Sequence, residues 1–548
     1  MILWEKRPYT SNIHVVKYLA ASSGLHINLV EMLYNRGITN EDDLFKHLYP
    51  ELTDLHDPFL LNDLKIALYR IVKAIQSGEH IMIYGDYDVD GITSTTLLLK
   101  GLRFFKANAN FTLPTRKDGY GLTESAIEKM RGQGVTLIIT VDNGSNAHAA
   151  LATAKKYGID VIVTDHHQIM GPHPDCYAFV NPKRSDNTYP NSHLAGVGVA
   201  FKLVQGLFTI SKRSDWNHNV WAYLELASLG TIADLMPLQG ENRVITKLGI
   251  SRMNTQPSPP IKCLLKLLKI TDVTSTDVSF LLAPIFNSSG RIDDPNAAVT
   301  YLMDDHPYVE EANRFIQLNQ ARKQMTTEQF ALLDSQVIAH NLHNNRVIVA
   351  MDNLHEGIIG ILAAKLSEKY RKPSIVITNE GKGSARSVQN TNFSIVNAIE
   401  RCSEHLITFG GHRAAAGLSI DTNHLILFDR ALQKSAELEP PILSVSYYDF
   451  ETSLADFPNL LFSDMNDLEP YGMGNPKPKF LSRDIFPKQI EYFGNKNQHA
   501  ALHFSKHKAM VFGKADKLKN ATRKSFELLY SPNCYKKRDY IVEDFRFI

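Results

Sequence analysis

Cysteine is scarce, with four residues in the whole chain, Cys176, Cys263, Cys402 and Cys534, and no CxxC pair. That scarcity excludes a disulfide framework and a structural zinc site, and it fits a reducing compartment. An excess of one charge is also missing, since 59 Lys and Arg face 58 Asp and Glu for a net +1. A protein held to nucleic acid by bulk charge is thereby excluded, whereas a local basic channel is not. No apolar run reaches the roughly 18 residues of a membrane span. The opening MILWEKRPYT has no basic stretch followed by an apolar core and a small-residue cleavage site, so no secretory signal is expected. What is present is ordinary globular composition, 44% hydrophobic and 21% charged over 548 residues. At roughly 100–200 residues per domain, about three or four domains of a soluble, cytoplasmic protein are predicted.

The apolar pattern changes along the chain. Residues 1–75 carry apolar positions three and four apart, as in LVEMLYNRGI and LNDLKIALYRIVKAI, and predict short helices packed on the domain that follows. From 76 to 335, short β-rich runs (HIMIYGDYD, VTLIITVDNG, IDVIVTDHH) alternate with helical stretches such as GITSTTLLLKGLRFF. That alternation marks a parallel sheet covered on both faces. This part ends in PYVEEANRFIQLNQARKQMTTEQFALLDSQVIAH, which predicts one long connecting helix with a charged, solvated face. A second alternation, RVIVAMD, GIIGILAAKLSEKY and PSIVITNE, fills 336–438 and ends in GGHRAAAGLSI. There Gly410, Gly411 and His412 precede small residues expected to open a helix, which makes them a candidate anion site. Residues 439–548 predict strands of a small β-barrel, with the turn-rich PYGMGNPKPKF among them. The expected fold class is α/β: two α/β lobes joined by a long helix, then a C-terminal β-barrel.

The strongest signal is where the acids fall. Asp86, Asp88 and Asp90 follow the first strand in GDYDVDG, Asp142 follows another in VDNG, and Asp165, His166 and His167 follow a third in VTDHH. Ligands of doubly wound sheets bind beyond the carboxyl ends of the strands, so parallel strands would bring these groups to one edge. A lone Asp after a strand is usually a helix cap, and a lone HH pair is usually surface or core. Calcium loops also space acids by two, but Leu97 stands where an EF-hand needs glutamate. Three strand ends all bearing ligand-type residues outweigh these plainer readings. Crowded carboxylates repel unless a cation neutralises them, and oxygen ligands with imidazole and no thiolate favour Mn²⁺ or Mg²⁺.

GDYDVDGITS, VDNG and VTDHH, in this order, resemble the signature motifs of the DHH phosphoesterase superfamily. ASLGTIADLMPLQGENR resembles its fourth acidic motif, NSSGRIDDP its glycine-arginine motif, and GGHRAAAG the hallmark of the DHH-associated domain. PTRKDGYGL, FVNPKRSDNTYP, LAGVGVAFKL, HEGIIGILAAKL and KGSARS are similar to segments of the bacterial single-strand-specific exonucleases in that superfamily. The resemblance implies a DHH domain, a DHH-associated domain and a terminal OB-like barrel. It implies two ions, Mn²⁺ or Mg²⁺, held by Asp88, Asp90, Asp142, His166 and Asp234, with Asp86 and Asp165 orienting loops or ligands. Asp142 and His167 are the catalytic residues it implies, His167 lying by the scissile phosphate. Arg116, Arg291, Ser384, Arg386, Gly410, Gly411 and His412 become phosphate-binding candidates. Two positions depart from the pattern: Val89 stands where alanine is common, and Tyr84 where pyrophosphatase relatives carry a metal-binding histidine. The implied activity is 5′→3′ hydrolysis of single-stranded DNA to 5′-mononucleotides in repair and recombination. Implied partners are single-stranded DNA with a 5′ end, a single-strand-binding protein and a helicase, with the chain itself a monomer. The rivals are a phosphodiesterase for short RNA or a cyclic dinucleotide, and a non-catalytic replication scaffold.

Overall fold

The computed structural model describes residues 3–119, 121–211, 216–442, 445–454, 457–504, 507–518, 525–533 and 539–547. The first lobe is built on β1 (Ile81–Tyr84), β2 (Ala109–Thr112), β3 (Leu137–Val141), β4 (Asp160–Thr164) and β5 (Ala178–Val180). All pair in parallel, in the order β2-β1-β3-β4-β5. Helices cover both faces, so alternate residues of β1 enter two cores. Ile81 and Ile83 pack with Leu97 and Leu102, while Met82 and Tyr84 pack with Ile127 and Leu151. Two-sided burial is why β1, β3 and β4 read as unbroken apolar runs. Of the outer strands, β2, ANFT, is mostly unburied and carries Asn and Thr, and β5, AFV, has only three residues, so neither shows a clear apolar run.

Helix α1 (Val89–Phe104) follows β1 and packs on α2 (Gly196–Ile210) and α3 (Trp216–Ala233). Helix α4 (Ala283–Ile292) leads towards α5 (Val309–Ala339), the expected connecting helix. Its 31 residues span about 46 Å at 1.5 Å per residue. The second lobe follows, with β6 (Ile348–Asp352), α6 (Ile359–Tyr370), β7 (Ser374–Thr378), β8 (Lys382–Arg386), β9 (Thr408–His412) and β10 (Ala415–Ser419). Its sheet order is β9-β10-β8-β7-β6, parallel only between β6 and β7.

The structure corrects two expectations. GGHRAAAG opens no helix: Gly410, Gly411 and His412 lie in the edge strand β9, antiparallel to β10. Gly411 has φ +148, and a Cβ there would meet the Ala415 carbonyl oxygen at 2.4 Å, so the close ladder requires glycine. The second correction concerns residues 1–75. Leu3–Lys6 is a strand pairing in parallel with Val445–Tyr448. The apolar faces of the next helices (Val16, Leu19, Leu29, Leu33, Leu44, Leu48) share a core with Phe450, Leu461, Met465 and Phe480 of the terminal domain. From Leu52 onward side chains join the first lobe. Periodicity reveals an apolar face but not its partner. Beyond Phe450 seven strands form one mixed sheet around that same core. Cys176, Cys263 and Cys402 are free thiols, and Cys534 lies outside the described residues. Among the described residues no helix is long and apolar enough to cross a membrane.

Candidate active site

In the first sheet the strand order reverses between β1 and β3, the position at which doubly wound sheets bind ligands. Asp86, Asp88 and Asp90 leave β1 there. Asp88 caps α1, its Oδ1 accepting from the amides of Asp90 at 2.9 Å and Gly91 at 3.1 Å. Asp90, in the first turn of α1, accepts from the Gly196 amide at 2.7 Å and the Val197 amide at 2.8 Å, the first N–H groups of α2. A helix N-terminus holds a carboxylate in this way because its amides lack intrahelical partners. Asp142 follows β3 in the left-handed region at φ +62, which Asp tolerates better than most residues. Asp165 and His166 follow β4, and Asp234 follows α3.

These groups converge. His166 Nε2 lies 3.0 Å from Asp142 Oδ1, 3.5 Å from Asp234 Oδ2 and 3.7 Å from Asp90 Oδ2. Among the described residues, the buried atoms Asp86 Oδ1, Asp142 Oδ1, Asp234 Oδ2 and His166 Nε2 have no hydrogen-bond partner. Buried polar atoms are rarely left so, and a cluster of lone pairs facing one another is the donor set of a cation. Ligand atoms fall into three groups: Asp86, Asp88 and Asp142; Asp90, His166 and Asp234; and Asp142, His166 and His167. Asp142 belongs to two of them, as a bridge between neighbouring ions would. The sequence assigns Asp86 an orienting role, yet the structure groups it with the donors.

Burial, and then the neighbouring carboxylates, raise Asp86 to about 8, Asp90 to about 7, Asp234 to about 8 and Asp142 well above its usual value. Burial, and then the charge on His167, push His166 down to about 3, keeping the imidazole neutral as a ligand must be. Asp165 is different. Its oxygens accept from Ser145 N at 2.9 Å, His166 N at 2.7 Å and His167 Nδ1 at 2.8 Å. Burial opposes its charge, but the His167 hydrogen bond prevails and holds it below the usual carboxylate range. His167 in turn is disfavoured as a cation by burial, and Asp165 overrides this and raises it to about 9. Asp165 thus holds the His167 ring by its Nδ1.

A pH effect follows. The raised values of Asp86, Asp90 and Asp234 mean that their protonated forms favour the folded state. That contribution is complete below about pH 4 and is lost as pH rises to about 8. In chelator, the melting temperature is expected to fall across that interval, and added Mn²⁺ to reverse the fall near neutrality. Scanning calorimetry with and without Mn²⁺ checks both, and a pH-independent melting point in chelator would count against the crowded-carboxylate account.

Two glycines that sequence reasoning passes over fit the site together. A Cβ at Gly196 would lie 2.6 Å from Asp142 Cβ, and one at Gly230 would lie 2.9 Å from Asp90 Oδ1. Gly196 lets α2, and Gly230 lets α3, approach the donors this closely.

The arginines expected to bind phosphate gather where the lobes meet. Arg116 donates from Nε to the Gly290 carbonyl at 3.0 Å, its guanidinium 4.3 Å from the Tyr87 ring. Arg291 donates to the Gly357 carbonyl at 2.9 Å. Arg386 Nη1 lies 3.0 Å from Ser384 Oγ, so both project from one face of β8. Burial, and then the charges of Arg116, Arg322 and Arg386, push Arg291 down to about 10. A bound anion would relieve this mutual repulsion. Arg322, on the face of α5 that its sequence presents as solvated, is the member the sequence did not reveal. Gly410, Gly411 and His412 are exposed on β9, with Gly410 in one cross-strand row with Ser384 and His412 in one with Arg386, β10 lying between.

Residues 80–231 match the DHH family, N-terminal domain, and residues 344–438 match the DHHA1 domain. The switch-point carboxylates and these two domains together define a metal-binding phosphoesterase of the DHH class. Residues 448–541 match the RecJ OB domain. The single-stranded-DNA-specific exonuclease RecJ of Escherichia coli is 33% identical over 77% of this chain and 78% of its own length. Its Bacillus subtilis counterpart is 35% identical over 89% of this chain, which spans 62% of that relative. The crystal structure of RecJ from Thermus thermophilus in complex with Mn²⁺ superposes with a TM-score of 0.85 at 25% identity, covering 100% of this chain and 79% of that one. The chain belongs to the RecJ family.

Proposed function

We propose that this chain is a metal-dependent 5′→3′ exonuclease that hydrolyses single-stranded DNA to 5′-mononucleotides in DNA repair and recombination. One observation carries the proposal: two groups of ligand-type atoms sharing Asp142 lie next to an arginine cluster that begins at Tyr87, between Asp86 and Asp88. Asp88, Asp90, Asp142, His166 and Asp234 would hold two ions, Mn²⁺ or Mg²⁺, with Asp86 beside them. When bound, such a pair supplies an activated water and neutralises charge on the phosphate.

The chain's own residues do the rest. Arg116 and Arg291 hold the strand by its phosphates, and Ser384 with Arg386 takes the terminal one. His167 has Nδ1 committed to Asp165, so its Nε2 edge is the one that would serve the scissile phosphate. A terminal domain of OB type grips single strands without base readout. A single-strand-binding protein and a helicase as partners, a monomeric state and a cytoplasmic location belong to the same proposal.

Digestion of 5′- and 3′-labelled single strands and duplexes in Mn²⁺ or Mg²⁺ tests it. Labelled mononucleotide should leave the 5′ end of single strands first. Long 5′-labelled fragments would show internal cutting and sink the proposal. Arg322 gives a separate prediction. Single-strand affinity falls with salt, by about 0.7 in log–log slope for each phosphate contact. Arg322→Ala should reduce that slope by about one such contact. An unchanged slope across a salt titration would remove Arg322 from the strand's path.

A further inference from the structure

PYGMGNP in the terminal domain meets the first lobe at a telling place. The Leu238 amide donates to the Met473 carbonyl at 2.7 Å, and Gln239 Nε2 donates to the Gly474 carbonyl at 2.9 Å. Both acceptors lie in the loop between Tyr471 and Asn475. Leu238 stands four residues after Asp234. A Cβ at Gly472 would lie 2.8 Å from Leu238 Cδ1, so any larger residue there would displace the buried Leu238 side chain.

The loop is itself held. Asn475 Nδ2 donates to the Leu468 and Pro470 carbonyls at 2.9 Å each, while Asn475 Oδ1 accepts from Arg36 at 2.7 Å. Arg243, fully buried on the first lobe, donates to the Leu468 carbonyl at 3.1 Å and the Glu469 carbonyl at 3.0 Å.

The turn that carries Asp234 needs outside support. The amides of Leu235 and Met236 bond back to the carbonyls of Ile232 and Thr231, closing α3 in a Schellman motif. The left-handed position of that motif, which normally takes glycine, is occupied by Leu235 at φ +56. Leu235 is 64% exposed, so its own packing does not offset the strain. A left-handed branched residue persists where its surroundings over-determine it. On one side that constraint is α3, and on the other it is the grip on Leu238 and Gln239.

We propose that the Tyr471–Asn475 loop of the terminal domain is a positioning element for the metal centre, fixing through Leu238 and Gln239 the strained turn that presents Asp234. This rests on Asp234 being a metal ligand. Gln239, Gly472 and Gly474 are positioning residues, and they act on Asp234 rather than on DNA.

The test is Mn²⁺ binding by titration calorimetry on the full chain without DNA. Wild-type chain that binds no Mn²⁺ would overturn the metal-site reading itself. If it binds, Gly472→Ala should weaken Mn²⁺ by about 10-fold or more, the usual effect of losing a group that orients a ligand. Gln239→Ala changes an exposed side chain and so keeps the fold. It should weaken Mn²⁺ measurably, while Gln239→Lys, which retains a donor of similar reach, should restore affinity. Ser275→Ala is the control for docking alone, because Ser275 contacts the loop at the Tyr471 amide, away from Leu238. It should leave Mn²⁺ affinity unchanged even where it lowers the melting point. Wild-type Mn²⁺ affinity in folded Gln239→Ala would overturn the proposal. So would equal losses in Gln239→Ala and Ser275→Ala.

Discussion

Asp142→Asn is expected to fold and to hydrolyse single-stranded DNA at least about 100-fold more slowly, since several kcal/mol of charge stabilisation passes through the metals and about 1.4 kcal/mol is tenfold in rate. The substitution is mild in shape. Asparagine adopts the left-handed backbone that Asp142 requires. Its side chain has the size that Gly196 already accommodates. What is lost is the charge of the residue shared between two donor groups. Stability in chelator should not fall, because one member of a mutually repelling set has gone, and it should equal or exceed that of the wild type. Turnover in excess Mn²⁺ and melting in chelator check the two halves. Near-normal turnover in a folded variant would strip Asp142 of its place in the centre.

The strand-end donors were legible in the sequence because a doubly wound sheet converts order along the chain into place, whereas Asp234, after α3, came only through the resemblance. A buried apolar strand followed by an acid predicts that acid at the carboxyl edge, and three such strands predict convergence at one crevice. β2 escaped because it is half polar and mostly unburied, and β5 because three residues show no period. The helices around Val16 and Leu33 showed their apolar faces, yet their partner lies more than four hundred residues away, and no local pattern encodes that pairing. GGHRAAAG was misjudged because small residues suit a helix start as well as a tight hairpin. The φ of Gly411, fixed by its neighbour strand, decides between them. Gly196 and Gly230 matter through what their missing Cβ atoms would strike, and only the assembled site makes that visible. Arg322 lies on a helix whose sequence looks solvated, and it becomes notable only where other arginines approach it.

Arg386→Ala is expected to lower the preference for 5′-phosphorylated over 5′-hydroxyl strands by roughly 10–150-fold, the equivalent of about 1.5–3 kcal/mol for a hydrogen bond to a charged group. An exonuclease must count one nucleotide from an end, and a terminal phosphate carries more charge than an internal diester, about −1.5 to −2. Arg386 is suited to recognise it. Burial already lowers its affinity for its proton, so the guanidinium is partly stripped of water before the anion arrives. Its Nη1 contacts Ser384 Oγ at 3.0 Å and the Ala385 carbonyl at 2.8 Å, which fixes the fork and places a hydroxyl beside it. A Cβ at Gly360 would lie 2.9 Å from Nη2, so glycine there lets α6 lie against the fork as it is placed. Such a rigid fork beside a hydroxyl is the arrangement that reads a phosphate by geometry as well as charge. The competing role is bracing, since the same contacts tie β8 to its own backbone. Bracing predicts a lower melting temperature and an unchanged phosphate-to-hydroxyl rate ratio, whereas recognition predicts a collapsed ratio in a chain that still melts near the wild type. Arg386→Lys sharpens the comparison, because it keeps the charge and loses the fork, and it should recover only part of the ratio. An unchanged ratio in folded Arg386→Ala would leave Arg116, held against Tyr87 from the first lobe, as the residue that reads the end.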